Sequence, residues 1–184
     1  HDAARANDVR ALRSLLDADP GLIDDRHDSM TPLQNACRYG NLQAATLLLD
    51  RGADWSVADR GKDTAFMLAC EHGHPSVVSL LLARGVDPSE RDRHQQTSLM
   101  KAASQRPVHP NKHVAVIRLL IEDGRVPVDA RDDGGRTALW WACDAGYTQA
   151  ARVLLMEGRA DHTIADDKDD DETPMEAARA AQRW

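Results

Sequence analysis

Apolar residues return along this chain in two alternating kinds of segment. The first is short and opens on Thr, with a large apolar residue two places on and a small pair beyond it. Its copies are Thr31-Pro32-Leu33-Gln34-Asn35-Ala36-Cys37, Thr64-Ala65-Phe66-Met67-Leu68-Ala69-Cys70, Thr97-Ser98-Leu99-Met100-Lys101-Ala102-Ala103, Thr137-Ala138-Leu139-Trp140-Trp141-Ala142-Cys143 and, more loosely, Thr173-Pro174-Met175-Glu176-Ala177-Ala178. A Thr hydroxyl accepts from the orphan amides of a helix start and Pro is tolerated in the first turn, so each copy predicts a helix. The second kind of segment follows a short turn and carries apolar residues at i, i+3 and i+4, as over 42–49 and 77–82. That spacing predicts a second helix with one buried face. Gly52, Gly85, Gly124 and Gly158 each follow it where a left-handed cap is wanted. Stretches such as 57–63 then read as turns back to the next Thr. The threonines lie 33, 33, 40 and 36 residues apart. One such helix pair cannot bury its own apolar stripe, so neighbours must stack.

The period divides the chain into repeats at approximately 1–30, 31–63, 64–96, 97–136 and 137–172, with a partial copy at 173–184. In the first, Ala3-Ala4 ends an opening helix, Asp8 caps the next, and Val9, Leu12, Leu15 and Leu16 form its stripe. Asp19-Pro20-Gly21 ends that helix, and 27–29 is the tip of the following turn. The fourth repeat is irregular. Residues 104–112 replace a short turn with a segment holding two prolines, which forbid simple helix extension. A further insertion at 124–129 adds one residue. Insertions in stacked repeats map to loops and often to a binding face, so a ligand or metal site in the 104–113 loop is carried as an alternative. The acidic turn 166–172 fails as a calcium loop, since counting from Asp167 puts Glu172 and Ala178 where Gly and Glu are needed. It reads as a solvated turn able to attract a basic segment. The last copy closes as a truncated cap, with Ala177, Ala178, Ala180 and Ala181 inside and Arg179, Gln182 and Arg183 outside.

A period near 33 opening on T-P-L-x-x-A is the ankyrin signature, and the chain resembles an ankyrin-repeat protein from end to end. The resemblance implies an all-α solenoid of about five helix pairs with a partial C-terminal cap. It also implies a scaffold that binds a partner protein or peptide through its concave groove and turn tips, without catalysis. Groove positions four, seven and eight after each Thr are Asn35, Arg38 and Tyr39; Leu68, Glu71 and His72; Lys101, Ser104 and Gln105; Trp141, Asp144 and Ala145. Partner contacts are expected at Arg38, Tyr39, Glu71, His72, Trp141 and Asp144, flanked by turn-tip Arg60, Arg93 and Arg136. The third position after Thr is usually a His bridging to the turns in this family. Here it is Gln34, Met67, Met100 and Trp140, a departure that puts that hydrogen bond in question. The phrase Trp141-Ala142-Cys143-Asp144 is similar to one in methyl-lysine-reading ankyrin domains, so a histone-tail reader using Trp141 and Asp144 is a second alternative. The other cage walls are missing, because Arg136 and Ala177 stand where they would be.

Composition narrows the picture further. A net charge of −7 argues against non-specific nucleic-acid binding, which wants a basic face. No apolar run approaches the roughly 18 residues of a membrane span. No signal peptide is visible, and the chain opens inside a helix as a segment of something longer would, so a monomer or part of a larger multidomain protein is expected. Cys37, Cys70 and Cys143 share one place in the phrase, one repeat or more apart. Stacked helices lie about 8–10 Å from axis to axis and a disulfide needs Cα atoms within roughly 7 Å. All three therefore read as reduced core residues of an intracellular protein, cytoplasmic or nuclear. The histidine pairs His72/His74 and His109/His113 lack the further ligands of a zinc site. No catalytic constellation is present, and no enzyme activity, cofactor or metal is expected.

Overall fold

The computed structural model describes residues 1–104, 110–167 and 171–180. Residues 105–109 of the 104–113 insertion, the centre of the acidic turn, and Gln105, Ala181, Gln182 and Arg183 lie outside the described residues. Helices run in pairs: α1 (Asp2–Arg5) with α2 (Val9–Ala18), α3 (Pro32–Arg38) with α4 (Leu42–Asp50), and α5 (Ala65–Glu71) with α6 (Pro75–Ala83). They continue as α7 (Ser98–Ala103) with α8 (Pro110–Asp123) and α9 (Ala138–Asp144) with α10 (Thr148–Met156), and α11 (Pro174–Ala180) ends the series. Each first helix packs on the first helices before and after it, and each second helix does the same. Strands are absent among the described residues, and only isolated bridges such as His27 with Met30 occur at the turns. The result is an all-α solenoid.

The Thr phrase starts each first helix in the same way. Thr31, Thr64, Thr97 and Thr137 accept from the third helical amide, and all four are buried. The small pairs do the packing. Ala36 and Cys37, Ala69 and Cys70, Ala102 and Ala103, and Ala142 and Cys143 are all buried between neighbouring first helices. Leu48, Leu81, Leu120 and Leu154 of the second helices bury their side chains along the same strip. Asp8 caps α2 by accepting from Ala11 N at 2.9 Å.

One departure from expectation concerns Gly158. Gly52, Gly85 and Gly124 have φ of 85°, 81° and 73°, but in the fifth repeat Arg159 takes the left-handed place with φ 55°. Both the fourth and the fifth repeat have one residue more between this Gly and the next buried residue, Val126 or Ala160. Gly158 is needed for another reason, since a Cβ there would come within 2.8 Å of the Leu154 carbonyl oxygen.

A second device ties each repeat to the one before. The side-chain amide of Asn41 donates to Ala4 O and Arg5 O at 2.8 and 2.7 Å. His74 Nε2 donates to Arg38 O at 2.9 Å, and His113 Nε2 donates to Glu71 O at 2.9 Å. These side chains satisfy carbonyls left open at the ends of α1, α3 and α5. His113 does so from inside α8. The rings lie flat against left-handed glycines of the previous repeat. A Cβ on Gly40 would sit 2.4 Å from the His74 ring, and one on Gly73 would sit 2.5 Å from the His113 ring.

Gly73→Ala and Gly52→Ala should therefore separate two costs in thermal unfolding. Both force a side chain into the left-handed region, about 1–2 kcal/mol. Gly52 has open space around it, whereas Gly73 also meets a buried ring, adding about 1–3 kcal/mol of overpacking. Equal shifts in Tm would refute the ring contact.

Candidate binding surface

The turn tips share one construction. An Asp stands five residues before Thr64, Thr97 and Thr137. Asp59 Oδ1 accepts from Gly61 N and Asp63 N at 2.7 and 3.0 Å, Asp92 Oδ1 from His94 N and Gln96 N at 2.8 and 2.9 Å, and Asp132 Oδ1 from Gly134 N and Arg136 N at 2.9 and 3.0 Å. Such an Asp closes a tight turn with its own side chain. Asp166 serves the swollen last turn by accepting from Glu172 N at 3.0 Å. Adjacent tips are joined through the backbone: Arg93 N to Gly61 O at 2.9 Å, Asp133 N to His94 O at 3.1 Å and Asp167 N to Gly134 O at 2.8 Å. The tips form one connected edge beside the first helices. Gln34 anchors that edge, donating to Val57 O and Asp63 O at 3.1 and 3.0 Å. The bridge that the missing His put in question is thus made by an amide at Gln34. At Trp140 a buried ring, edge-on to Trp141, fills the same place.

The fourth residue after Thr reads the tip behind it in two of the repeats. Lys101 Nζ pairs with Asp92 Oδ2 at 2.8 Å and Asp63 Oδ1 at 2.9 Å, with side chains 12%, 2% and 16% exposed respectively. Burial works against the ammonium, but the hydrogen bonds to Asp92 and Asp63 outweigh it and raise its pKa. Burial raises the Asp63 carboxyl, against the opposing pull of Lys101. Trp141 Nε1 donates to Asp132 Oδ2 at 3.0 Å. Arg136 pairs with the same carboxylate at 3.2 Å and lies 4.3 Å above the Trp141 ring centre. Burial disfavours the Asp132 charge, but the amide and guanidinium of Arg136 outweigh it and hold its pKa low.

The expected contact residues fall into two groups. Arg38 and Tyr39 are exposed at the end of α3, and Tyr39 carries the Arg5 guanidinium 4.9 Å over its ring. Glu71, His72 and Asp144 are partly exposed at the ends of α5 and α9, and Trp141 is partly exposed on α9. Arg38 and His72 are close enough for the guanidinium to disfavour a charged His72, a smaller effect than burial. Arg60 and Arg93 are exposed on adjacent tips, whereas Arg136 is held over the Trp pair. Two groove positions are not surface at all: Leu68 is 4% exposed and Ala145 9%. Sequence reasoning missed Asp92, Asp132, Lys101 and His113 as organising residues. The Asp recurring five places before Thr was the signal available for the first two.

The Trp141 face that a methylammonium would need is covered by Arg136, a cation of the chain itself. Burial pushes the thiols of Cys37 and Cys70 up, and that of Cys143 up to about 11. None of these cysteines is an ionised nucleophile near neutrality. Among the described residues no group of three or more metal-ligating side chains comes together. No described helix is long and apolar enough to cross a membrane.

Comparison with known proteins places this geometry. A family model described as ankyrin repeats in three copies matches residues 1–92 and 85–166. A serine/threonine-protein kinase of Arabidopsis thaliana is 42% identical over 62 residues, 33% of this chain and 14% of that protein. A probable E3 ubiquitin-protein ligase of Oryza sativa subsp. japonica is 41% identical over 68 residues, 36% of this chain and 15% of that protein. This chain thus spans only a small part of either relative. Among solved structures, an ankyrin repeat domain from Acinetobacter baumannii AYE shares 30% identity and a TM-score of 0.79, over 100% of this chain and 91% of its own.

Two measurements test the geometry. Lys101→Ala leaves the buried Asp92 and the half-buried Asp63 without their cation and should cost about 3–5 kcal/mol in denaturant unfolding, while Arg118→Ala, which removes an exposed pair with Glu157, should leave the unfolding midpoint nearly unchanged. His72 and His74 have pKa values held below the ordinary 6.5, mainly by burial. The unfolded chain therefore takes up their protons first, so stability should fall as pH drops below about 6.5 and level off once the folded chain is protonated too. His74→Asn, which keeps a bridging amide as Asn41 does, should reduce that fall.

Proposed function

Because the chain belongs to the ankyrin-repeat family, we propose that it is a recognition module that holds a partner protein or peptide along its first helices and tip edge. Ankyrin repeats are in general protein–protein interaction modules, and the fold is typically non-catalytic. The kinase and ligase relatives match over the repeats alone, and their activities belong to those proteins. The contacts assigned to this chain are Arg38, Tyr39, Glu71, His72, Trp141 and Asp144, with Arg60, Arg93 and Arg136 from the tips.

One observation carries this assignment: both groove aromatics are held by internal cations. Tyr39 lies under Arg5 and Trp141 under Arg136, with Trp141 further fixed to Asp132. Yet Tyr39 remains 42% exposed, and Trp141 is only partly buried. Aromatic and Arg side chains dominate interface energies, and side chains already fixed lose less entropy on binding. Stacking through the tip edge keeps the two ends in register.

The double variant Tyr39→Ala/Trp141→Ala, used as bait in affinity capture from the source cell with mass spectrometry, should lose the partners that the parent chain retains. Full recovery by a double variant with unchanged circular dichroism would overturn the groove assignment.

A further inference from the structure

Several cations along the stack are neutralised where they stand. Arg51 pairs with Asp17, Arg84 with Asp50, Arg118 with Glu157, Arg125 with Asp123, Arg131 with Asp167 and Arg136 with Asp132. The tips between the second and fourth repeats differ. Among the described residues Arg60, Lys62 and Arg93 form no ion pair, and the Arg93 side chain bonds only to the ring of its neighbour His94. All three are exposed. The acids on these same two tips are turned inward. Asp59 spends one oxygen on its own turn amides, and Asp63 and Asp92 are drawn down onto Lys101.

Lys101 therefore does two things at once. It fixes the tips to the groove floor, and it strips their outer side of countercharge. The tips are joined by the Arg93 N to Gly61 O bond, and Lys62 is held with φ 61°, so the three cations are presented on one short stretch of backbone. That stretch is bounded: the preceding tip carries Asp28, and the following one carries Asp133.

We propose that Arg60, Lys62 and Arg93 form a seat for a short acidic peptide segment of the partner. This rests on the recognition reading above and names the chemistry of one part of that surface. A carboxylate-bearing segment two tips long meets three exposed cations that no acid of the chain pairs with, whereas a longer polyanion runs onto Asp28 at one end and Asp133 at the other. The overall charge of −7 adds to that exclusion. The bounded length favours an acidic peptide over a nucleic acid.

The test uses fluorescence anisotropy at low salt with three labelled probes: a (Glu-Ser)4 peptide, a (Lys-Ser)4 peptide and a 20-nucleotide poly(U). The Glu peptide should bind, weaken as salt is added, and lose about tenfold in affinity for Arg60→Gln/Lys62→Gln/Arg93→Gln. The control Arg10→Gln/Arg13→Gln/Arg152→Gln, on the outer faces of α2 and α10, should bind as the parent does. The Lys peptide should not bind, and poly(U) should bind more weakly than the Glu peptide. No binding of the Glu peptide, equal binding by the tip variant, or tighter binding of poly(U) would each overturn the proposal. Should the Glu peptide fail while Tyr39→Ala/Trp141→Ala still loses its captured partners, the acidic seat falls and the recognition reading stands.

Discussion

The close approach of one helix pair to the next is the constraint from which the other features follow. It requires small side chains at two consecutive places in every first helix, which the Ala-Cys and Ala-Ala pairs supply. It also requires that the open carbonyls ending each first helix meet a donor from the following repeat. Asn41, His74 and His113 provide that donor. A ring can lie there only because the residue beneath it has no Cβ. Packing and hydrogen bonding are thus satisfied by the same few residues, and each repeat is completed by its neighbour.

The tip edge obeys the same logic with charge in place of apolar surface. An Asp closes each regular turn with one oxygen, which leaves the other oxygen to face the groove floor. Lys101 and Trp141 answer it from equivalent positions. A buried carboxylate without such an answer would be expensive, so the fourth position after Thr is not free to vary as a surface residue would. In these two repeats it is a structural position at the edge of a binding surface.

The helices, their order and the stacked architecture were legible in the sequence because they rest on local patterns: a capping Thr, a 3.6-residue apolar period and a repeat near 33. The contacts between repeats were less so. Gln34 in place of His puts the usual bridge in question, yet its amide reaches both Val57 and Asp63. Nothing local tells which carbonyl a side chain will meet 23 or 29 residues away. His113 was considered only as half of a histidine pair lacking the other ligands of a zinc site, and its partner Glu71 lies 42 residues away. Leu68 was placed on the groove because position in the phrase was taken to fix exposure, whereas the structure leaves it only 4% exposed. Gly158 shows the opposite failure. A left-handed cap was expected there, but the positive φ falls on Arg159, although Gly124 in the equally lengthened fourth repeat keeps it.

Rigidity and charge together explain why a chain of net negative charge presents a positive stretch at all. Each cation beside an acid on its own or a neighbouring repeat is used to tie the stack, as in the Asp17–Arg51 and Asp50–Arg84 pairs along the second helices. On the central tips the cations stay available because the acids beside them are claimed by something else. That claimant is Lys101, the one ammonium in the floor that reaches two tips at once. Where the fourth position is Trp141 instead, the carboxylate of Asp132 is shared with Arg136 and the tip cation folds back over the rings. One substitution at one repeat position therefore decides whether a tip offers its positive charge to solvent or spends it on the groove wall.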